Sequence, residues 1–224
     1  MTHTENFRPV PWDTAALGID AYEIEEPKPE ELDIAANLPG HYTVRVDPLT
    51  PKMLLHKYGF YYCDTLLEPY TDIDHFVAFD DAAVVVCDNA TIDSLLSICH
   101  GAFKHDRFHR DFNVPAHQAD LRYDNWLSQM HSAGEVRGLL YRDKLAGFIA
   151  TQGSSLVLHA LAETVRGRGL SKCLWTPVCR ALFESGQTEV TSSVSSTNLP
   201  VLNLYARLGF RFRNPVDIYH RITR

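Results

Sequence analysis

The stretch Arg166-Gly167-Arg168-Gly169-Leu170-Ser171 constrains the fold more than any other part of the chain. It lies between an apolar run at residues 156–162 and a helical pattern at residues 170–184. Strand, glycine turn, helix is an anion-binding arrangement, because the first N–H groups of a helix lack internal partners and its dipole adds positive potential. Gly167 and Gly169 let the backbone come close to a phosphate. Arg166, Arg168 and Lys172 add countercharge. Two familiar phosphate loops do not fit. Gly-x-x-x-x-Gly-Lys-Ser/Thr is missing, and Gly-x-Gly-x-x-Gly belongs early in a βαβ unit, whereas this turn comes late and behind a hairpin. An ordinary basic turn is the reading that the fragment alone leaves open.

A second block follows: Asn198-Leu199-Pro200-Val201-Leu202-Asn203-Leu204-Tyr205-Ala206-Arg207-Leu208-Gly209-Phe210. Val201, Leu204 and Leu208 form an apolar stripe at helical spacing, and Gly209 closes the helix. Tyr205 is either a half-buried structural tyrosine or a phenol placed to give up a proton. With an ordinary pKa of about 10, it stays protonated at neutral pH. The two blocks in this order suggest a pocket for a phosphate-bearing cofactor followed by a proton donor.

The 224 residues allow one large domain or two small ones. No run reaches the about 20 apolar residues of a membrane helix, and no apolar signal segment opens the chain, so a cytoplasmic protein is expected. The five cysteines are scattered without a Cys-x-x-Cys pair and read as reduced, mostly buried thiols. A net charge of −7 argues against a general nucleic-acid binder. His105, His109, His117 and His131 come without cysteine partners or a His-x-x-Glu set, so no metal is expected from them.

Residues 1–79 read as a small α/β domain and 80–224 as a second, larger one. In the first, residues 16–24 and 42–46 read as strands, 25–31 as a charged loop, 51–57 as a helix opened by Pro51, 60–67 as a strand and 69–75 as a connector. In the second, a strand at 83–87 leads to helices at 91–103 and 121–131, a hairpin at 136–151 turning on Arg142-Asp143-Lys144, and a strand at 156–162. The glycine turn, its helix, a strand at 189–194, the tyrosine helix at 200–208 and closing strands at 210–212 and 216–222 complete it. Leu54-Leu55-His56-Lys57-Tyr58-Gly59-Phe60 echoes Leu204 to Phe210, with Leu55 where Tyr205 stands. Either the halves share an ancestor, or helix-Gly-Phe-strand is a common junction.

The glycine turn resembles the pyrophosphate loop of the GNAT acetyltransferase superfamily, Arg/Gln-x-x-Gly-x-Gly/Ala, with Ser171 at the last small position. Asn198-x-x-Val201-x-x-x-Tyr205-x-x-x-Gly209-Phe210 resembles the second GNAT block. Pro177 is unusual inside the first helix, where it removes a hydrogen bond. The resemblance implies an α/β (α+β) GNAT fold: a mixed, mostly antiparallel sheet flanked by helices, behind a smaller, degenerate GNAT-like N-terminal α/β domain. It implies acetyl-CoA as acyl donor, held by Arg166, Gly167, Arg168, Gly169, Leu170 and Ser171, by Asn198 on the pantetheine arm, by Arg207 on the phosphates and by backbone groups around Leu161. It also implies that the strand carrying Leu161 splays from the strand at 189–194. Tyr205 would protonate the leaving thiolate, and His159, sharing a face with Val157 and Leu161, would be the base.

Phe103-Lys104-His105-Asp106-Arg107-Phe108-His109-Arg110-Asp111, Pro115 and Tyr123-x-x-Trp126 resemble a family of GNATs, the dTDP-fucosamine acetyltransferases, that acetylate amino-deoxysugars carried on nucleotides. That resemblance implies a sugar-nucleotide amine as acceptor and Arg107 and His109 as substrate-binding residues. Asp106 departs from the serine of that pattern. Arg107 can hold a diphosphate or pair with a neighbouring aspartate. Other amine acceptors, or a non-catalytic acyl-CoA sensor, are the alternatives. Pairing through the closing strands, as a homodimer, is what the superfamily suggests.

Overall fold

Gly18 shows how local chemistry sets the first elements. Pro11 opens helix α1 (Pro11–Leu17) and Gly18, at φ 70°, ends it with its N–H on the Thr14 carbonyl. The strand expected at residues 16–24 therefore shortens to β2 (Ala21–Ile24). The structure, a computed structural model, describes residues 6–224. It divides into two compact units that alternate along the chain. The first comprises the chain up to Leu66, Lys104–Arg122 and Pro215–Arg224, and the second comprises Leu67–Phe103 and Tyr123–Asn214. The order of elements along the sequence suggests a single boundary, between residues 79 and 80.

In the first unit, β1 (Phe7–Pro9), β2, β3 (Gly40–Val46) and the end of β11 (Arg211–Thr223) lie side by side. β1–β2 and β3–β11 are antiparallel, and β2–β3 is parallel. The charged loop expected at 25–31 gives way at Pro29 to α2 (Pro29–Asn37), whose first-turn Glu30 and Glu31 suit a helix N-terminus. On one face of β3, Tyr42, Val44 and Val46 pack with Leu32, Tyr219, Phe60 and Leu55, the last from α3 (Met53–Lys57). The opposite face carries His41 and Thr43, with Thr43 paired to His220 and His41 to Ile222. His41 and His220 are both 0% exposed. Burial holds both imidazoles below their ordinary pKa range.

In the second unit the order is β4-β9-β8-β7-β6-β5. β4 (Tyr61–Asp72) runs on through Pro69, where a connector was expected, and pairs β9 (Glu189–Ser192) antiparallel. β5 (Val84–Cys87), β6 (Val136–Tyr141), β7 (Lys144–Gln152) and β8 (Ser155–Leu161) form an antiparallel meander. The hairpin turns on Arg142 and Asp143, both at positive φ (51° and 59°). On one face, α4 (Ile92–Cys99) and the C-terminal part of α5 (Ala116–Ser132) bury Leu95, Ile98, Leu127 and Met130 against Phe148 and Leu158. On the other, α6 (Ser171–Glu184) and α7 (Leu199–Arg207) bury Leu174, Val178, Leu204 and Leu208 against Leu139, Ile149 and Val190. The two closing strands expected at 210–212 and 216–222 are one strand, β11, which takes Asn214 at φ 50° in its stride. The fold is thus mixed α/β, a mostly antiparallel sheet flanked by helices.

Candidate active site

The β8–β9 pairing is parallel and short. Registered pairs are Ser155–Thr191 and Leu156–Ser192, and the registered ladder stops well before Leu161. Beyond it the chain forms β10 (Val194–Ser195), which pairs β4 instead. A register shift between Ala150 and Thr151 interrupts the β7–β8 ladder. Strict alternation puts Val157 on the face of His159, but Val157 packs against the α4–α5 cluster. The His159 ring instead meets Trp175 of α6 edge-on, at 5.1 Å between centroids.

The glycine turn follows β8 through a 3-10 turn, Glu163–Val165. Gly167 and Gly169 both sit at φ 73°, a left-handed conformation that L side chains resist. A Cβ at either would meet nothing within 4 Å, so conformation rather than crowding selects glycine here. Leu170 is the N-cap residue of α6 and Ser171 its first residue. Arg166 folds back, its Nε donating to the Leu161 carbonyl at 2.8 Å. Arg168 Nη1 donates to the Thr164 carbonyl at 3.5 Å. α6 continues through Pro177, while the Thr176 hydroxyl donates to the Lys172 carbonyl at 2.9 Å and accepts from the Phe79 N–H at 2.9 Å.

Beside the turn is a cavity of about 170 Å³ lined by Gly169, Ser171, Lys172, Pro200, Asn203, Leu204 and Arg207. It joins the start of α6 to one side of α7. Two cations, an amide and the N-terminal end of a helix give it the character of an anion site. Asn198 caps α7, its Oδ1 accepting from the Val201 N–H at 3.4 Å. Of the sequence-derived cofactor residues, Gly169, Ser171 and Arg207 line this cavity. Arg166 and Arg168 are turned onto backbone carbonyls. Asn203 was missed, since nothing in its local pattern separates it from other polar helix residues.

Tyr205 faces the sheet from α7 and is 0% exposed. Its hydroxyl donates to Ser192 Oγ at 2.8 Å and lies 2.9 Å from His159 Nε2. Ser192 in turn donates to the Leu156 carbonyl at 2.7 Å. Burial pushes the Tyr205 pKa well above its ordinary value. The His159 imidazole, partly exposed but hemmed in by Trp175 and Tyr205, is pushed down to about 4 by the same loss of water. At neutral pH the phenol is therefore protonated and the imidazole neutral. Trp175 Nε1 is buried beside this pair. Ser192 and Trp175, like Asn203, are functional candidates that sequence reasoning missed. Ser192 shares the buried face of a short strand with Val190, and that period-two spacing is the one signal for it.

Arg107 and His109 belong to the first unit. His109 is held on both sides, Nδ1 at 2.6 Å from Asp106 and Nε2 at 3.1 Å from Asp120. Burial pulls its pKa down, but the two carboxylates outweigh this and raise it. The Arg107 guanidinium stacks on Phe108 at 4.9 Å from the ring centroid. Asp106 accepts from the Phe108 and His109 N–H groups at 2.9 and 3.2 Å, so its carboxylate organises this loop.

The family model for FR47-like proteins matches residues 134–218, fewer than half of the 224. No curated protein matches the chain. Solved structures do. A GCN5-related N-acetyltransferase from Sphaerobacter thermophilus is 15% identical, with a TM-score of 0.60 over 84% of this chain and 61% of that one. A tandem GNAT protein from the clavulanic acid biosynthesis pathway is 13% identical, with a TM-score of 0.54 over 90% and 75%. A GNAT-family acetyltransferase from Novosphingobium aromaticivorans, described as putative, is 16% identical, with a TM-score of 0.56 over 87% and 81%. This chain spans 61% of the length of the Sphaerobacter protein. At these identities the likeness establishes the fold, and the fold is that of the GNAT acetyltransferases.

Proposed function

We propose that this chain is an acetyl-CoA-dependent N-acetyltransferase that passes the acetyl group directly to a primary amine. One observation carries the reading. Helix α7 sends Leu204 and Arg207 into the wall of the glycine-turn cavity and, between them, brings the Tyr205 hydroxyl to His159. Anion binding and proton transfer thus share a single helix turn. The cavity would take the cofactor phosphates, and the edge of β8 near Leu161 that β9 leaves free would take the pantetheine arm.

The hydrogen-bond chain supports one placement of the protons. Ser192 gives its hydrogen to Leu156, so its oxygen is left to accept from Tyr205. The Tyr205 oxygen then accepts from His159 Nε2–H, which leaves the lone pair on Nδ1. A neutral His159 in this tautomer takes a proton from the attacking amine. Tyr205 is the acid for the departing thiolate in the first reading. Its complete burial favours a second, in which His159 passes the proton on and Tyr205 holds the ring in place.

For the acceptor we propose the amino group of a nucleotide-linked deoxysugar, with Arg107 and His109 contributing to its recognition. Support comes from the sequence of residues 103–126 alone. Release of free thiol from acetyl-CoA, against a panel of nucleotide-linked amino-deoxysugars, polyamines, amino acids and peptides, tests both layers. Turnover confined to the sugars supports the whole proposal. Turnover on another amine keeps the acetyltransferase and removes the sugar. Retained CoA binding with no turnover on any amine points to an acyl-CoA sensor.

A further inference from the structure

We propose that His41, His220 and Asp111, in the first unit, form a binding site for a divalent transition metal, zinc by the character of the donors. The three come from distant parts of the chain: β3, the end of β11 and the 104–122 segment. One ring nitrogen from each histidine and one Asp111 oxygen all lie within 4.8 Å of one another, and all three residues are buried. Atoms bound to one tetrahedral zinc at about 2.1 Å stand about 3.4 Å apart, so side-chain torsions are enough to close the set.

The second observation is independent of that spacing. Neither ring nitrogen of His41 has a hydrogen-bond partner among the described residues, and neither does Nε2 of His220. Both side chains are 0% exposed. Buried imidazole nitrogens are normally paired, and three orphans within one cluster call for an explanation. The rings sit edge to face, 4.5 Å between centroids. A cation bound by one lone pair from each ring would give two of these three nitrogens a partner.

The surroundings suit this role. His220 Nδ1 is 2.9 Å from Asp111 Oδ2, which also accepts from the Tyr61 hydroxyl at 3.0 Å. A carboxylate on one ring nitrogen fixes the tautomer and leaves the other nitrogen as a metal ligand. Two cations press on the cluster, Arg107 and Arg122. Arg122 is paired with buried Asp13 at 2.9 Å, which offsets its charge. Two imidazoles and a carboxylate are a zinc donor set rather than a magnesium or calcium one. Nothing in this site depends on the transferase reading.

The test uses the full chain, stripped with a chelator and then given zinc chloride alone. About one equivalent of zinc should survive desalting, and the chelator should remove it again. With isotopically enriched cadmium in place of zinc, proton–cadmium correlation spectra should connect the metal to the rings of His41 and His220. His41→Gln and His220→Gln should each weaken binding by at least about tenfold, and Asp111→Asn by about 10- to 100-fold. Absence of retained zinc, or cadmium couplings only to other histidines, overturns the site. The cadmium spectrum of the unmutated protein decides the matter alone if the variants fail to fold.

Discussion

The junctions at Leu54–Phe60 and Leu204–Phe210 have the same backbone and different chemistry. In the first, Gly59 sits at φ 75° and the Phe60 N–H reaches back to the Leu55 carbonyl at 3.0 Å. In the second, Gly209 sits at φ 84° and the Phe210 N–H reaches the Tyr205 carbonyl at 3.0 Å. Phe60 and Phe210 are both buried, as are Leu55 and Tyr205. A helix closed by a left-handed glycine, with an apolar anchor on each side, is a solution that either unit can use. What separates them is what faces the helix residue. Leu55 enters an apolar cluster with Phe60, Tyr42 and Val44, whereas Tyr205 meets Ser192 and His159. The junction therefore specifies fold, and one side chain with its strand partners specifies chemistry.

Removing that one side-chain group should give the largest effect. Tyr205→Phe is expected to lower turnover about 10²- to 10⁴-fold with CoA affinity nearly unchanged, whether the phenol is the acid or the group that fixes His159. Leu55→Ala, at the matching position, should leave kcat alone and cost about 2–5 kcal/mol of stability, as deletion of a buried leucine side chain does. Thiol-release kinetics and denaturant unfolding on the same pair measure both. Equal turnover for Tyr205→Phe and the parent chain would remove the difference claimed between the two junctions.

The glycines sharpen the comparison at a smaller scale. A Cβ at Gly209 would lie 2.0 Å from the backbone carbonyl oxygen of His75, which cannot swing away. A Cβ at Gly59 would lie equally close to Arg221 Nη1, the end of a long side chain. Arg221 is tied down by the Tyr58 and Ala36 carbonyls, at 2.6 and 3.0 Å, but can give them up to water. Both alanines bear the left-handed penalty of about 1–2 kcal/mol. Gly209→Ala is expected to cost about 3 kcal/mol or more and Gly59→Ala about 1–2 kcal/mol beyond the parent, by chemical unfolding. A reversed order would show that the Arg221 bonds matter more than backbone contact.

The same comparison explains what the sequence made legible. The glycine turn, the tyrosine helix, the hairpin and the short apolar strands carry period, cap and turn signals within a few residues, and these elements lie near where those signals put them. Element limits failed where a local signal was ambiguous: Gly18 inside an alternating run, Pro29 inside a charged stretch, Pro69 inside a strand, Asn214 between two apparent strands. Partnerships across the chain carry no local signal. Nothing near Ser192 points to Tyr205. Nothing near His41 points to His220. Residues 104–122 read as part of the second domain because they follow it in sequence, yet they pack with the first.

The finest distinction is the state of His159, and pH reads it. A solvated histidine would titrate near 6.5, whereas this ring, short of water, titrates near about 4. The unfolded chain therefore binds more protons than the native one between those values. The neutral ring's contribution to stability is complete above about pH 6.5 and is lost as the pH falls towards about 4. In catalysis, a base already neutral at pH 6 gives kcat/KM no ionisation near 6.5 from this residue. A limb near 6.5 that disappears in His159→Gln would mean that the ring is solvated in the working enzyme. Ser192→Ala adds a subtler shift. Without the serine oxygen, the Tyr205 hydroxyl turns to donate to His159 Nε2, and the proton moves to Nδ1, where the amine should bind. Turnover should then fall by about tenfold, the scale of one hydrogen bond, with KM for the amine little changed. Leu55 has no such neighbour to lose, and so Ser192 becomes the measure of how the two junctions differ.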